Sequence, residues 1–355
     1  MYIDNISEFG AHKPSLLVGL IIKITRSLGK NWFSKRLIFF LRRVALNFSG
    51  ECIDTELFQG QTRLYTKGNI CEKRALFSPQ IFESFERNFI SSYAKDGSIF
   101  IDIGSNIGLY SLSVGARYKD FINTEIHSIE PHPNLFKRLQ FNTSLNKDFP
   151  IKIHNLAIMD KNEEFNLKTN ESNLGQTVIS NEGQIKVIGK NLNTFLKEEN
   201  INKITALKID VEGNEEKILI PFLKEENKKL FPKIIIIERN DNLWDSDLVK
   251  TLINFNYNIN LNPEIKKIID PEKKAYSEGC LSVPGFYEEL KRPSSVEVSY
   301  QDLEFKINTQ VISGLLSVVI QHEIDHLDGK IMVDSLSNLK REMIRKKLMK
   351  NVAGK

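Results

Sequence analysis

Four side chains near the C-terminal end have the types and spacing for a hydrolytic metal centre. They are Cys280, in Glu278-Gly279-Cys280-Leu281-Ser282, and His322, Glu323 and His326, in His322-Glu323-Ile324-Asp325-His326. Residues four apart on a helix share a face, so His322 and His326 point the same way, on a stripe with Leu315 and Val319. A thiolate on a strand can complete a Cys-His-His site and leave the fourth position to water. Glu323 sits beside a ligand and can exchange a proton with that water. Alone, the histidine pair would suit a zinc protease or a solvated helix face, and Cys280 a buried, inert thiol. The two segments together point to a metal.

A second set of candidates lies mid-chain. An apolar run over 98–103 ends in Gly104-Ser105-Asn106-Ile107-Gly108, where glycines let backbone approach a ligand at a helix N-terminus. The spacing is not the G-x-G-x-x-G of dinucleotide folds. Glu130 ends the next apolar run, over 125–129, and can accept both hydroxyls of a ribose. Asp210 and Glu212 follow the run 204–209. The elements that must position these residues alternate strand and helix. Residues 151–158 read as a third strand and 204–209 as a fourth. The isoleucines of 233–237 are typical of a strand buried on both faces. The pattern predicts a doubly wound α/β sheet, with ligands beyond the carboxyl ends of its strands.

The runs Phe100-Ile101-Asp102-Ile103-Gly104-Ser105-Asn106-Ile107-Gly108, Ile129-Glu130-Pro131 and Leu207-Lys208-Ile209-Asp210-Val211-Glu212-Gly213-Asn214-Glu215 resemble the FkbM-type S-adenosylmethionine methyltransferases. The resemblance covers about residues 60–258 and implies a Rossmann-like sheet. It implies that Asp102, Gly104 and Asn106, in the turn closed by Gly108, hold the methionine part of the cofactor. Glu130 would hold the ribose, and Asn142 or Ala157 would lie near the adenine. Asp210 and Glu212 would lie at the reacting centre, as proton acceptor or as loop supports. The acceptor would be a hydroxyl of a sugar, glycolipid or secondary metabolite. Two departures stand out. Leu192-Asn193 replaces the usual Leu-Asp, and the second strand of the family's closing antiparallel pair is not evident.

From about Asn262 onward the chain resembles peptide deformylase, a smaller α+β fold with a metal-binding helix. Beyond the metal motifs, Val283-Pro284-Gly285-Phe286, Arg292-Pro293, Gln321, Leu327-Asp328-Gly329 and Leu336-Ser337-Asn338-Leu339-Lys340-Arg341 carry the match. It implies a divalent metal, iron first, with zinc or nickel as alternatives, on Cys280, His322 and His326. Glu323 would be the general acid/base against the N-formyl group of methionyl peptides, and the Leu281 amide an oxyanion donor. The family's upstream G-x-G-x-A-A-x-Q motif has no counterpart before Asn262. Losing one oxyanion donor costs about a hundredfold or more in rate.

The 355 residues are 41% hydrophobic and 26% charged, those of a soluble globular chain with room for two cores. Three divisions are expected: a basic helical extension over 1–59, a methyltransferase-like domain over 60–258 and a truncated deformylase-like domain over 259–355. The net charge of +4 is small, and eight Lys or Arg lie within the first fifty residues. No specific nucleic-acid surface is implied. The apolar runs 16–22 and 37–41 are too short to span a bilayer. Residues 13–43 can pack on the next domain or lie on a membrane surface. Three cysteines follow no disulfide framework, which suits a reducing cytoplasm. The principal expectation is a methyltransferase with a deformylase remnant, because its cofactor motifs are complete. The alternative is a working deformylase. A fusion with neither site complete is the third reading.

Overall fold

The computed structural model describes residues 3–29, 32–170, 173–180, 182–225, 228–238, 243–257, 264–280, 283, 286–301, 307–327 and 331–353, without the side chains of 32, 33, 35, 264, 301, 307, 326, 327 and 349–353. Contacts divide the chain into two compact units, Met1–Thr251 and Leu252–Lys355.

The first unit opens with α1 (Leu16–Ser27), capped by the Ser15 hydroxyl, and α2 (Trp32–Asn47). Their apolar stripes bury Val18, Ile21, Ile22, Ile38 and Ala45. The partners are the hairpin of β1 (Cys52–Leu57) and β2 (Gly60–Tyr65), and α3 (Ile70–Phe77). The first residues are therefore not helical throughout: the boundary expected at 59/60 falls in the hairpin turn, since Leu57 pairs with Gly60.

Next come α4 (Ser84–Ser92), β3 (Ile99–Ile103), α5 (Leu109–Tyr118), β4 (Glu125–Ile129), α6 (Pro133–Ser144) and β5 (Ile151–His154). A β excursion follows, of β6 (Ala157–Met159), β7 (Glu164–Lys168), β8 (Val178–Ile179) and β9 (Ile185–Asn191). Then α7 (Leu192–Glu198), β10 (Ala206–Ile209), α8 (Glu215–Lys224), β11 (Ile234–Ile237) and α9 (Leu248–Asn254) complete the series. Five strands pair in parallel in the order β11-β10-β3-β4-β5. The chain leaves β3 toward β5 and resumes on the other side with β10. The order thus reverses between β3 and β10, where open sheets of this kind bind ligands.

Two strand expectations change. The stretch 151–158 is not one strand. Asn155 Nδ2 donates to the carbonyls of Glu130 (2.9 Å) and Pro131 (3.2 Å), turning the chain off the sheet, and Ala157–Met159 pairs with β9 instead. The isoleucines of β11 are not buried on both faces. The strand pairs with β10 alone among the described residues, and only Ile234 is fully buried.

The second unit is built on an antiparallel sheet of β12 (Glu264–Gly279), β13 (Tyr287–Gln301) and β14 (Ile307–Ser313). Its register slips between Asp270 and Lys273, around Pro271, which has no N–H to give a ladder. α10 (Leu315–Leu327) lays Val318 and Ile324 toward this sheet, where Ile324 joins a core of Val296, Val298 and Ile312. α11 (Asn338–Ala353) brings Ile344 into a second core with Cys280, Val283, Leu290 and Met332.

Candidate functional site

At the reversal point the ends of β3 and β10 nearly touch. Gly104 has φ +74°, and a Cβ there would lie 1.9 Å from the Asp210 carbonyl oxygen. Only glycine fits. The Gly104 and Ser105 amides both donate to the Ile129 carbonyl (3.0 Å each), which folds the turn over the end of β4. Asn106 and Gly108 also have positive φ, and Gly108 opens α5. The loop after β10 is held from below. Buried Glu215 accepts the Val211 and Gly213 amides (3.2 Å each) and Trp244 Nε1 (2.9 Å).

These loops enclose a cavity of about 310 Å³. Gly104, Asn106, Glu130, Ala157, Asp210 and Glu212 line it, as do Cys71, Arg74 and Glu83 from the α3–α4 region and Asn173 to Thr177. Three expected cofactor residues do not line it. Asp102 is fully buried beneath, accepting the Ser111 hydroxyl (2.7 Å). Gly108 faces Leu139. Asn142, expected near the adenine, instead accepts the Arg63 amide (2.8 Å) and donates to the Ile107 carbonyl (3.3 Å), locking α6 to β2 and the turn.

Glu130 accepts backbone N–H groups of Asn106 and His132 (2.8 Å each). Burial outweighs these bonds and pushes its carboxyl up to about 8. Lys208, which the sequence reading left without a role, lies under the cavity floor. Its ammonium is 3.2 Å from Asp210 and 3.6 Å from Asp102. Burial opposes its charge, but Asp210, Asp102 and Glu83 overcome burial and hold its pKa above the ordinary range. A lysine in the otherwise apolar Ala206–Ile209 was the signal for it. Glu212 is pushed up to about 7, first by burial and then by Asp210, Glu238 and Glu215. Asp210, Glu212 and Glu238 make this end of the cavity acidic.

In the second unit, Glu278 and Cys280 lie two apart at the end of β12, so alternation gives them one face. Both are buried, at 6% and 3% exposure. Arg292 on β13 donates to both Glu278 oxygens (2.7 and 3.0 Å) and to Asp325 (2.8 Å). The same Glu278 carboxylate lies 3.1 Å from His322 Nδ1. That contact orients the imidazole. The buried face of α10 is Ser317, Val318, Gln321 and Ile324, while Leu315, Val319 and Glu323 are exposed beside the half-buried His322. His326 is on the same helix. Its side chain lies outside the described residues, as do Leu281 and Ser282, so closure of the triad and the oxyanion amide are not described. Among the described residues, the groups able to hold a cation are His127, His154 and Glu199, and the acidic trio above.

Comparison with known proteins bears on the second unit. The family model for polypeptide deformylase matches residues 178–342. Its first part runs through β9 to β11, and two of these strands pair within the parallel sheet of the first unit. Peptide deformylase 1 of Pseudomonas syringae pv. tomato is 57% identical over 90 residues, 25% of this chain and 53% of its own length. The Saccharophagus degradans enzyme is 52% identical over 90 residues, covering 52% of its length. A solved peptide deformylase from Legionella pneumophila is 45% identical, over 26% of this chain and 54% of its own, with a TM-score of 0.24. The chain spans about half the length of the curated relatives it matches. The family match and the curated relatives favour the alternative reading of the sequence over the principal one.

Proposed function

We propose that the second unit carries a deformylase-type metal centre that hydrolyses the N-formyl group of methionyl peptides. The observation that carries this reading is the Glu278 carboxylate, shared between Arg292 and His322 Nδ1 beside the buried Cys280. The donor set fits a borderline divalent ion such as iron: one thiolate, one imidazole already oriented by a carboxylate, and His326 one helical turn further on. Such an ion, when bound, supplies Lewis-acid activation of water and of a carbonyl. Glu323, exposed on α10, is the proton carrier of the reading. Glu278→Gln keeps the size but weakens the hold on His322. Metal affinity of the full chain, measured against a competing chelator, falls roughly 10–100-fold. Unchanged affinity sinks the proposed role of Glu278.

A second reading concerns the first unit: S-adenosylmethionine-dependent methylation of a hydroxyl on a sugar, glycolipid or secondary metabolite. Glu130, beneath the turn at Gly104 and Asn106, favours it. Gly104, Asn106, Glu130 and Ala157 would hold the cofactor, which supplies an electrophilic methyl group. Asp210 and Glu212 would position the acceptor, since in-line approach matters more than basicity here. Ribose hydroxyls donate to a carboxylate, so binding favours ionised Glu130. Burial pushes the Glu130 carboxyl up to about 8, so below that pH binding must release a proton. Affinity for S-adenosylmethionine therefore rises with pH, up to about tenfold per unit, and levels off above about 8. Calorimetry in buffers of different ionisation enthalpy reads the proton directly. Binding without proton release would remove Glu130 from the ribose role.

A further inference from the structure

The strongest feature outside both sites is the outer face of the first two helices. One side of α1 and α2 is packed, through Val18, Ile21, Ile22, Ile38 and Ala45. The other exposes large apolar side chains. On α1 they fall one helical turn apart: Leu16 at 96%, Leu20 at 56% and Ile24 at 38%, with Leu17 beside them. On α2, Phe39 is 61% and Phe40 50% exposed. Large apolar side chains exposed along two helices that pack on each other mark an interaction site rather than scattered exposure.

Charge identifies what covers it. Between Glu8 and Glu51 the sequence has no Asp or Glu, but it holds eight Lys or Arg. Of these, Lys13, Lys23 and Arg43 are exposed. Arg26 is occupied inside the unit, donating to the Leu76 and Glu56 carbonyls and to Thr55. A protein partner of ordinary composition would not demand two helices free of acids, whereas an anionic bilayer favours them. No helix among the described residues is long and apolar enough to cross a membrane. A helix of 12 residues with apolar groups on its open side and lysines at its flanks suits the headgroup boundary instead.

We infer that α1 and α2 form a peripheral docking surface for anionic phospholipid. Leu16, Leu20, Ile24, Phe39 and Phe40 enter the acyl boundary, and Lys13, Lys23 and Arg43 meet the headgroups. The test is co-sedimentation of the full chain with vesicles of mixed phosphatidylglycerol and phosphatidylcholine, beside vesicles of phosphatidylcholine alone. The chain sediments with the anionic vesicles at low salt and is released at high salt, because the attraction is screened. Leu20→Asp and Phe40→Asp each weaken binding by about tenfold or more. Lys23→Glu weakens it by roughly tenfold. Ile122→Asp, at a residue 67% exposed elsewhere in the unit, leaves binding unchanged. All these positions are exposed, so the variants fold, and circular dichroism checks this. Three results overturn the inference: no sedimentation with anionic vesicles, equal loss in Ile122→Asp, or lipid-free self-association that Leu20→Asp abolishes. The last would assign the face to a second copy of the chain.

Discussion

Gly104→Ala unfolds the end of the first unit where β3 and β10 meet and, on the methyl-transfer reading, abolishes binding of S-adenosylmethionine. The added Cβ would stand 1.9 Å from the Asp210 carbonyl oxygen, and that obstacle is backbone, not a side chain that can swing away. Relief requires β3 and β10 to part where Asp210 N donates to the Ile103 carbonyl (3.1 Å). A left-handed φ of +74° adds strain for any residue with a Cβ. A cost of about 4 kcal/mol or more is expected. In a unit of this size that lowers the melting midpoint by roughly 10 °C. Gly108→Ala is the contrast. Its φ is also positive, but its Cβ meets the end of the Leu139 side chain, which can move. That variant stays folded and, on the same reading, still binds S-adenosylmethionine. Thermal unfolding and equilibrium binding of both variants check the pair. Equal behaviour of the two would remove the argument for the strand contact.

The second large effect lies behind the cavity wall. Glu72 on α3 and Arg138 on α6 form an ion pair with both side chains almost wholly buried. Arg138 also stacks over the Tyr65 ring at 3.7 Å, and Glu72 accepts the Tyr65 amide. Burial pushes the Glu72 carboxyl up, and the guanidinium opposes this. Arg138→Met leaves that carboxyl without its cation and costs about 3–5 kcal/mol. Glu72→Gln in the same chain removes the stranded charge while keeping an acceptor for Tyr65. The double variant recovers more than half of the loss. Chemical denaturation of the single and double variants gives the coupling. A double variant less stable than Arg138→Met would show that packing, not charge, holds α3 to α6.

The sequence displays best what obeys a short-range rule. Gly104 announces itself because a glycine-bearing turn follows an apolar run, and Glu130 because it ends the next one. Cys280, His322 and Glu323 stand at spacings that strands and helices translate directly into faces. What escapes is set by groups distant along the chain. Asn142 looks like a site residue, yet its amide is consumed by Arg63 and Ile107, which lie far from it in sequence. Asn155 ends the third strand by reaching back to Glu130 and Pro131, which an apolar count over 151–158 does not register. The isoleucines of β11 read as central because composition cannot tell a strand that pairs on one side, as β11 does among the described residues, from one covered on both. Glu278 was visible as a letter of a motif, and its bond to His322 needed β12 and α10 brought together.

The methyl-transfer reading and the deformylase reading occupy different units, so neither excludes the other. Comparison with known proteins supports the deformylase likeness, and the cavity of the first unit gives the other reading its physical basis. The missing upstream glutamine motif sets the expected scale: deformylation about a hundredfold or more below that of an enzyme with a complete oxyanion site. The measurement that bears most directly on the central claim is turnover of a formyl-methionyl peptide by the full chain, loaded with ferrous iron under anaerobic conditions, beside Glu323→Ala. Slow, iron-dependent release of formate that Glu323→Ala abolishes while retaining its iron is the predicted result. Iron-loaded chain that releases no formate, or releases it equally well without Glu323, would contradict the account.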